Sequence, residues 1–388
     1  MSNKKKIVVC LSRFPYPLDK GDKLRAYNQI KQLTTIFDVY LICTTDIQIE
    51  DEKLNVLTNI CKEVHVFKLN KWKITWRLIA NIISNKPFQV AYFHQHSIQR
   101  KINQLLNLIT PDYIFSQLIR TSEYVKDYHD CPKTLDYMDA FSKGIERRMS
   151  SKKGFTQWVF KQEHQRLLSY ERQIFEYFEH HTIISEQDRS YIAHPKQHEI
   201  TVIPNGVQLF EDLHYDFSKN IDLLFTGNMG YPPNVEAAYF IHKQLIPLLP
   251  KTYKCLIAGI NPPTFLKKLS NEYFQISGWV PDMGECYAKS KIFIAPMFIG
   301  TGLQNKLLEA MAMGLPCITT TLANKALNAK PNHEILIANS PEEYINQINL
   351  LQSNHDLQER ISKNGKEYVV ANFSWSKCNE ELIQLIQK

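Results

Sequence analysis

Between residues 300 and 309 the chain sets two glycines, a lysine and a carboxylate close together: Gly300-Thr301-Gly302-Leu303-Gln304-Asn305-Lys306-Leu307-Leu308-Glu309. Glycines let a backbone approach a ligand with no Cβ in the way. A helix starting just after them offers unpaired N–H groups and the positive end of its dipole, a setting that suits phosphate. Lys306 adds a mobile cation in the first turn, and Glu309 follows on the same face. A carboxylate there can accept hydrogen bonds from both hydroxyls of a ribose. Cradle, cation and ribose acceptor together point to a nucleoside diphosphate. The string could also serve only as the tight turn of a plain αβ unit. That use is common for a lone Gly-x-Gly and uncommon for the whole string.

The flanking residues supply the elements that position this group. Lys291-Ile292-Phe293-Ile294-Ala295-Pro296 reads as a buried strand. Leu307 to Met313 is rich in strong helix formers, and Gly314 and Pro316 end the helix. Cys317-Ile318-Thr319-Thr320 begins the next strand. The same alternation runs through the chain. Strands are expected at Ile7–Leu11, Val39–Cys43, Val64–Phe67, Tyr113–Ser116, Thr134–Met138, Thr182–Ser185 and Thr201–Val207, with helices at Leu24–Leu33 and His164–Glu179. A polar stretch to Asn220 reads as a linker. A second series then opens with Ile221–Gly227, a helix from Val235 towards Leu245, and strands at Cys255–Gly259 and Phe274–Trp279. Short apolar strands alternating with helices predict α/β domains with doubly wound parallel sheets. In such sheets ligands bind at the carboxyl ends of strands. The Lys20-Gly21-Asp22 loop, with Arg25 after it, falls at one such end, and Asp136 and Asp139 at another. The loop after the first strand lacks Gly-x-Gly-x-x-Gly, which weighs against a nicotinamide cofactor in that half.

A chain of 388 residues supports two domains with full cores. No apolar run reaches the length of a membrane span. The eight cysteines are scattered with no Cys-x-x-Cys pair, which argues against zinc and a disulfide framework and for a reducing cytoplasm. Charge is uneven. Residues 1–200 hold 30 Lys+Arg against 22 Asp+Glu, a net +8, and residues 201–388 hold 16 against 17. A basic first half favours an anionic partner. Trp72 to Ile79 and Arg147 to Trp158 mix aromatics with cations as bilayer-surface helices do, though a solvated helix with one packed face fits either segment alone. The charge is diffuse and no nucleic-acid module is present, so nucleic acid is not an expected partner.

The segment from Gly300 to Pro316 resembles the donor-binding signature of the GT-B glycosyltransferases of family 4, in which two glutamates flank a Gly-containing turn followed by Leu-Glu-Ala-Met-Ala-x-Gly-x-Pro. Glu309 matches the second glutamate, and Thr301 stands at the first. Ile203-Pro204-Asn205-Gly206-Val207 is similar to that family's interdomain strand. Phe225-Thr226-Gly227-Asn228-Met229, Pro232 to Ala237, Arg13, Pro15-Tyr16-Pro17, Lys20-Gly21-Asp22-Lys23, Arg25, Asp136-Tyr137-Met138-Asp139 and Arg166 to Arg172 resemble a branch of bacterial sugar transferases associated with exopolysaccharide loci. Many family members hold the donor diphosphate with an Arg and a Lys where Asn228 and Asn234 stand here. That leaves the phosphate charge to Lys306 and helix N-termini.

The resemblance implies two Rossmann-like domains facing across a cleft. Residues 1–205 would bind the acceptor, 206–372 the nucleotide sugar, and a C-terminal helix within 373–388 would pack back on the first domain. The implied activity is a retaining, metal-independent hexosyl transfer from a nucleotide-diphosphate sugar to a glycan or lipid-linked acceptor in surface polysaccharide synthesis. No cofactor is expected beyond the donor. The expected location is cytoplasmic, with peripheral attachment to an anionic inner membrane face. Catalytic candidates are Asp139, Lys306 and Glu309. Donor contacts are expected from Gly227, Asn228, Asn234, Trp279, Val280, and the run Gly300, Thr301, Gly302, Leu303, Gln304, Asn305 and Lys306 with Glu309. Lys20, Gly21, Asp22 and Arg25 would form an acceptor-side loop. Asp139 could equally cap a strand end, and Trp279 could equally lie in the core. Two other functions fit the same elements: a nucleotide-sugar 2-epimerase, and a nucleotide-sugar-binding protein without turnover.

Overall fold

A computed structural model of the chain describes residues 4–81, 84–149, 153–207, 218–299 and 302–388. It divides into two compact units, residues 1–205 with 378–388, and residues 206–377.

The first unit is built on seven strands: β1 (Lys6–Leu11), β2 (Asp38–Thr45), β3 (Glu63–Lys68), β4 (Tyr113–Gln117), β5 (Lys133–Asp136), β6 (His180–Ile183) and β7 (Thr201–Val202). They lie in the order β3-β2-β1-β4-β5-β6-β7, with every pairing parallel. In register, Val8 sits between Tyr40 and Ile114. Side chains alternate across a strand, so β1 feeds two cores. Ile7, Val9 and Leu11 pack with Ala26, Ile30 and Leu33 of the helix Gly21–Ile36. Val8 and Cys10 face the opposite layer, with Ile98, Ile102 and Leu106 of the helix His96–Ile109. This is why β1 reads as an unbroken apolar run. The helix Trp375–Ile386 places Cys378, Leu382, Ile383 and Ile386 in the first of these cores. A fully buried Leu or Ile contributes about 1.5–3 kcal/mol, so these few residues matter to the unit.

The second unit carries β8 (Ile221–Thr226), β9 (Cys255–Ala258), β10 (Phe274–Gly278), β11 (Ser290–Ala295), β12 (Cys317–Thr319) and β13 (Leu336–Ile337), in the parallel order β10-β9-β8-β11-β12-β13. Both sheets are doubly wound. The strand order reverses between β1 and β4 in the first and between β8 and β11 in the second, and crevices for ligands open at such points.

Several boundaries differ from the sequence reading. The helix expected from Leu24 begins at Gly21, with Lys20 extended as its N-cap residue. Gly21 and Asp22 are therefore in its first turn rather than in a loop, where Asp22 suits the positive dipole end. Strand β5 ends at Asp136, since Met138 takes a positive φ of 59°. The helix expected over His164–Glu179 spans Gly154–Ile174 and gives way to a 3-10 turn at Phe175–Tyr177. Phe175 is buried there between His181 and His194, its ring stacked 3.8 and 3.9 Å from theirs. Among the described residues the cysteines form no disulfide, and no helix is long and apolar enough to cross a membrane.

Candidate functional site

In the second unit the candidate residues gather at the β8/β11 reversal. Thr226 ends β8, and Gly227 turns the chain away. A Cβ on Gly227 would lie 2.7 Å from Asn234 Nδ2 and 3.2 Å from Lys306 Nζ, so a side chain there would push this pair aside. The loop after β9 presses in as well: a Cβ on Gly259 would sit 1.8 Å from the Gly227 carbonyl oxygen. From the other side comes the turn after β11. Gly300 and Thr301 lie outside the described residues. Gly302 takes a φ of 92°, Leu303 packs on the core, and Gln304 is the extended N-cap residue of the helix Asn305–Ala312. The first N–H groups of such a helix have no partner within it. Leu307, Leu308, Ala310 and Met311 anchor it in the core, which turns Lys306 and Glu309 towards the reversal point.

Lys306 is folded inward and half-buried. Its ammonium donates to Asn234 Oδ1, lies 3.8 Å from Met297 Sδ and sits 4.6 Å from the centre of the Phe225 ring. These partners are all neutral. Burial pushes the Lys306 pKa down to about 7, opposed only by the charge of Glu309. Asn234 is itself buried and fixed by donating from Nδ2 to the Asn228 carbonyl at 2.9 Å. Asn228 accepts at Oδ1 from the Gly230 N–H at 2.8 Å and from Asn261 at 3.3 Å. Asn228 thus holds the loop, while Asn234 holds the lysine.

Glu309 accepts the Tyr287 hydroxyl at 2.7 Å, and that hydroxyl also lies 2.9 Å from Thr226 Oγ1. Burial raises the Glu309 pKa, and the Tyr287 hydrogen bond and the Lys306 charge work against the rise. One carboxylate oxygen is pinned, which fixes the direction of the other. Trp279 is 70% exposed after β10, outside the core, and Val280 packs against the core. The cluster can therefore offer a glycine-lined approach, a helix N-terminus, one adjustable cation and one oriented carboxylate.

In the first unit, Asp136 at the end of β5 is fully buried with Arg25, Oδ2 accepting from Nε at 2.7 Å. Arg25 also donates to the Pro204 carbonyl and to Asn205 Oδ1, both at 3.1 Å, while its Nη2 is buried with no partner. Arg25 is thus part of the packed interior, not of an exposed loop. Asp22 pairs with Arg13 at 2.8 Å, and Lys20 is exposed. Asp139 is exposed three residues beyond β5. Desolvation by the surrounding protein, with repulsion from Asp188 and Asp136, raises its pKa to about 6.

Sequence reasoning missed Tyr287 and Arg120. Nothing local marks Tyr287, which reaches Glu309 across 22 residues. Arg120 follows the buried strand β4 directly, and the rule that ligands meet strand carboxyl ends was the signal available for it.

Residues 220–354 match the family model described as glycosyl transferases group 1. The chain is 21% identical over 397 residues to an uncharacterized 44.6 kDa protein in the cps region of Klebsiella pneumoniae, covering 96% of this chain and 97% of that protein. It is 24% identical over 132 residues to glycosyltransferase 1 domain-containing protein 1 of Xenopus tropicalis, a match to 32% of this chain and only 38% of that relative's length. Among solved structures it resembles Anabaena HepE in complex with UDP and glucose, with a TM-score of 0.69, 12% identity and coverage of 97% and 98% of the two chains. The residues around Lys306 and Glu309 therefore lie within the stretch that matches the glycosyl transferases group 1 model, in a chain with the GT-B fold.

Proposed function

We propose that the protein is a retaining, metal-independent family 4 glycosyltransferase. It moves a sugar from a nucleotide-diphosphate sugar, held by the second unit, to a glycan or lipid-linked acceptor held by the first, in bacterial surface polysaccharide synthesis. The observation that carries this is that Lys306 and Glu309 share one helix turn at the β8/β11 reversal, with Lys306 beside Gly227 and Glu309 held by Tyr287. Glu309 accepts the ribose hydroxyls through its unpinned oxygen. Lys306 leaves Asn234 for the diphosphate. As the sugar departs, charge grows on the leaving phosphate, and Lys306 with the N–H groups at the helix start stabilises it. Asp139, with a pKa raised towards neutrality, orients the acceptor hydroxyl. The cps-region relative supports the surface-polysaccharide role, and the UDP and glucose bound to the HepE neighbour support a nucleotide-sugar partner.

A membrane-borne acceptor suits the first unit. Residues 64–111 contain seven Lys+Arg and no Asp or Glu. Within them the helix Lys71–Ala80 leaves Trp72, Trp76 and Ile79 on its surface, 77%, 71% and 54% exposed at helical spacing. Exposed tryptophans beside lysines suit an anionic bilayer surface.

A thermal-shift screen of nucleotide sugars, followed by product analysis with the best binder, tests the reading. Transferred sugar is the expected result. Epimerised donor would mean an isomerase, binding without turnover a nucleotide-sugar-binding protein, and no shift with any nucleotide sugar would overturn the proposal.

A further inference from the structure

Arg120 stands on the loop after β4, at the strand reversal of the first unit. Its guanidinium is fixed from several sides. Nε and Nη2 both donate to Gln89 Oε1, at 3.2 and 2.7 Å. The Phe141 ring lies 4.7 Å from its central carbon and the Phe93 ring 5.3 Å. Among the described residues no carboxylate comes within ion-pair distance of it. The nearest charges are mixed: Arg13 and Arg148 repel it, while Asp22 and Asp139 attract it. Asp22 is already engaged by Arg13. Burial and this crowding lower the Arg120 pKa to about 10, so it remains a cation at neutral pH.

A cation costs free energy when it is desolvated without a counter-charge. A guanidinium held by two rings and an amide is also pre-organised, with its remaining N–H groups ready to bind a planar or tetrahedral anion. Loops after β1 and β4 bring Arg13 and Arg120 to the same reversal point, where Asp139 follows β5.

We propose that Arg120 anchors an anion subsite at the β1/β4 reversal, and that the acceptor carries a phosphate or carboxylate group bound there. This rests on the sugar-transfer reading with the first unit on the acceptor side. Asp139 then orients the attacking hydroxyl while Arg120 holds the charged group of the same molecule.

The test uses the full chain and three probes: glucose 1-phosphate, glucuronic acid and glucose. Phenylglyoxal labelling of Arg120 is followed by peptide mass spectrometry, and probe binding by ligand-observed NMR. An anionic probe should slow labelling of Arg120, and glucose should not. The anion that protects better names the group. Arg120→Gln should weaken binding of that probe about tenfold or more, as loss of a charged hydrogen bond does, with donor affinity in the second unit unchanged. Arg120→Lys should recover only part, having lost the fork. Equal protection by glucose and both anions, no protection by any probe, or wild-type anion binding in Arg120→Gln would overturn the inference. The labelling arm needs no variant, so misfolding of Arg120→Gln leaves it decisive. A nucleotide-sugar screen without any binder would instead sink the transferase reading, whatever Arg120 does.

Discussion

If Lys306 takes the donor diphosphate, donor affinity must depend on pH in a calculable way. In the free protein its ammonium has only neutral partners, and its pKa lies at about 7 instead of 10.5. Two phosphates beside it favour the charged form and raise that value, so binding takes up a proton. The sign follows. Below pH 7 Lys306 is already charged and affinity is at its maximum. Above pH 7 each unit costs about 1.4 kcal/mol, or tenfold in affinity, until the pKa of the complex is reached. With a bound-state value restored to the ordinary lysine range, affinity falls about a hundredfold, or about 2.7 kcal/mol, between pH 6 and 9. The phosphates of a nucleotide sugar keep a fixed charge across this range, so the slope reports the protein. Calorimetric titration of the best donor, in two buffers of different ionisation enthalpy, reads both affinity and proton uptake. Lys306→Met should bind more weakly and with a flat profile. Wild-type affinity constant within about twofold over the whole range, with no proton uptake, would refute the assignment of the phosphate to Lys306.

Three further outcomes are expected. Glu309→Gln should weaken donor binding by about 1.5–3 kcal/mol while thermal unfolding is little changed; an unaltered donor Kd would remove Glu309 from the ribose. Arg25→Met strands the buried Asp136 carboxylate and should cost about 3–5 kcal/mol in urea denaturation, partly recovered by adding Asp136→Asn; a cost below about 1 kcal/mol would show that the pair is not needed. The full chain should co-sediment with anionic vesicles at low salt and release as salt rises. Trp72→Ala with Trp76→Ala should abolish this, and equal binding to neutral vesicles would point away from a charged surface.

The candidate site of the second unit was legible because its parts are local. Gly302, Lys306 and Glu309 follow one another on a turn and a helix, so sequence spacing carried their geometry. The roles of Asn228 and Asn234 were not legible, since types alone do not say which amide turns inward. The candidate cluster of the first unit depends on pairs far apart in sequence. Arg25 reads as a loop cation until its partner, 111 residues away, is known. Arg120 gains meaning only when Gln89, Phe93 and Phe141 close round it. Helix ends failed where tertiary packing overrode propensity. Phe175 continues the helical pattern, yet its ring is stacked between two histidines, and the chain turns there to reach β6. The alternation of strands and helices survived because the apolar runs of the central strands, such as β1, β4 and β11, are long enough to demand burial on both faces.

The contribution of residues 378–388 to the β1 core has a consequence for how the protein is made. Leu382, Ile383 and Ile386 cover the same sheet face as Ile7 and Val9, which are made long before them. Domains generally fold in order during synthesis, but here the first unit cannot complete its core until residues 378–388 have been made. Throughout translation of the second unit, an apolar strip along β1 and the helix Gly21–Ile36 waits uncovered. Nascent chains stalled before residue 378 should therefore engage chaperones and be open to proteolysis in the first unit, while the second is already protected. A stop before residue 378 would leave the second unit folded and β1 of the first unit exposed.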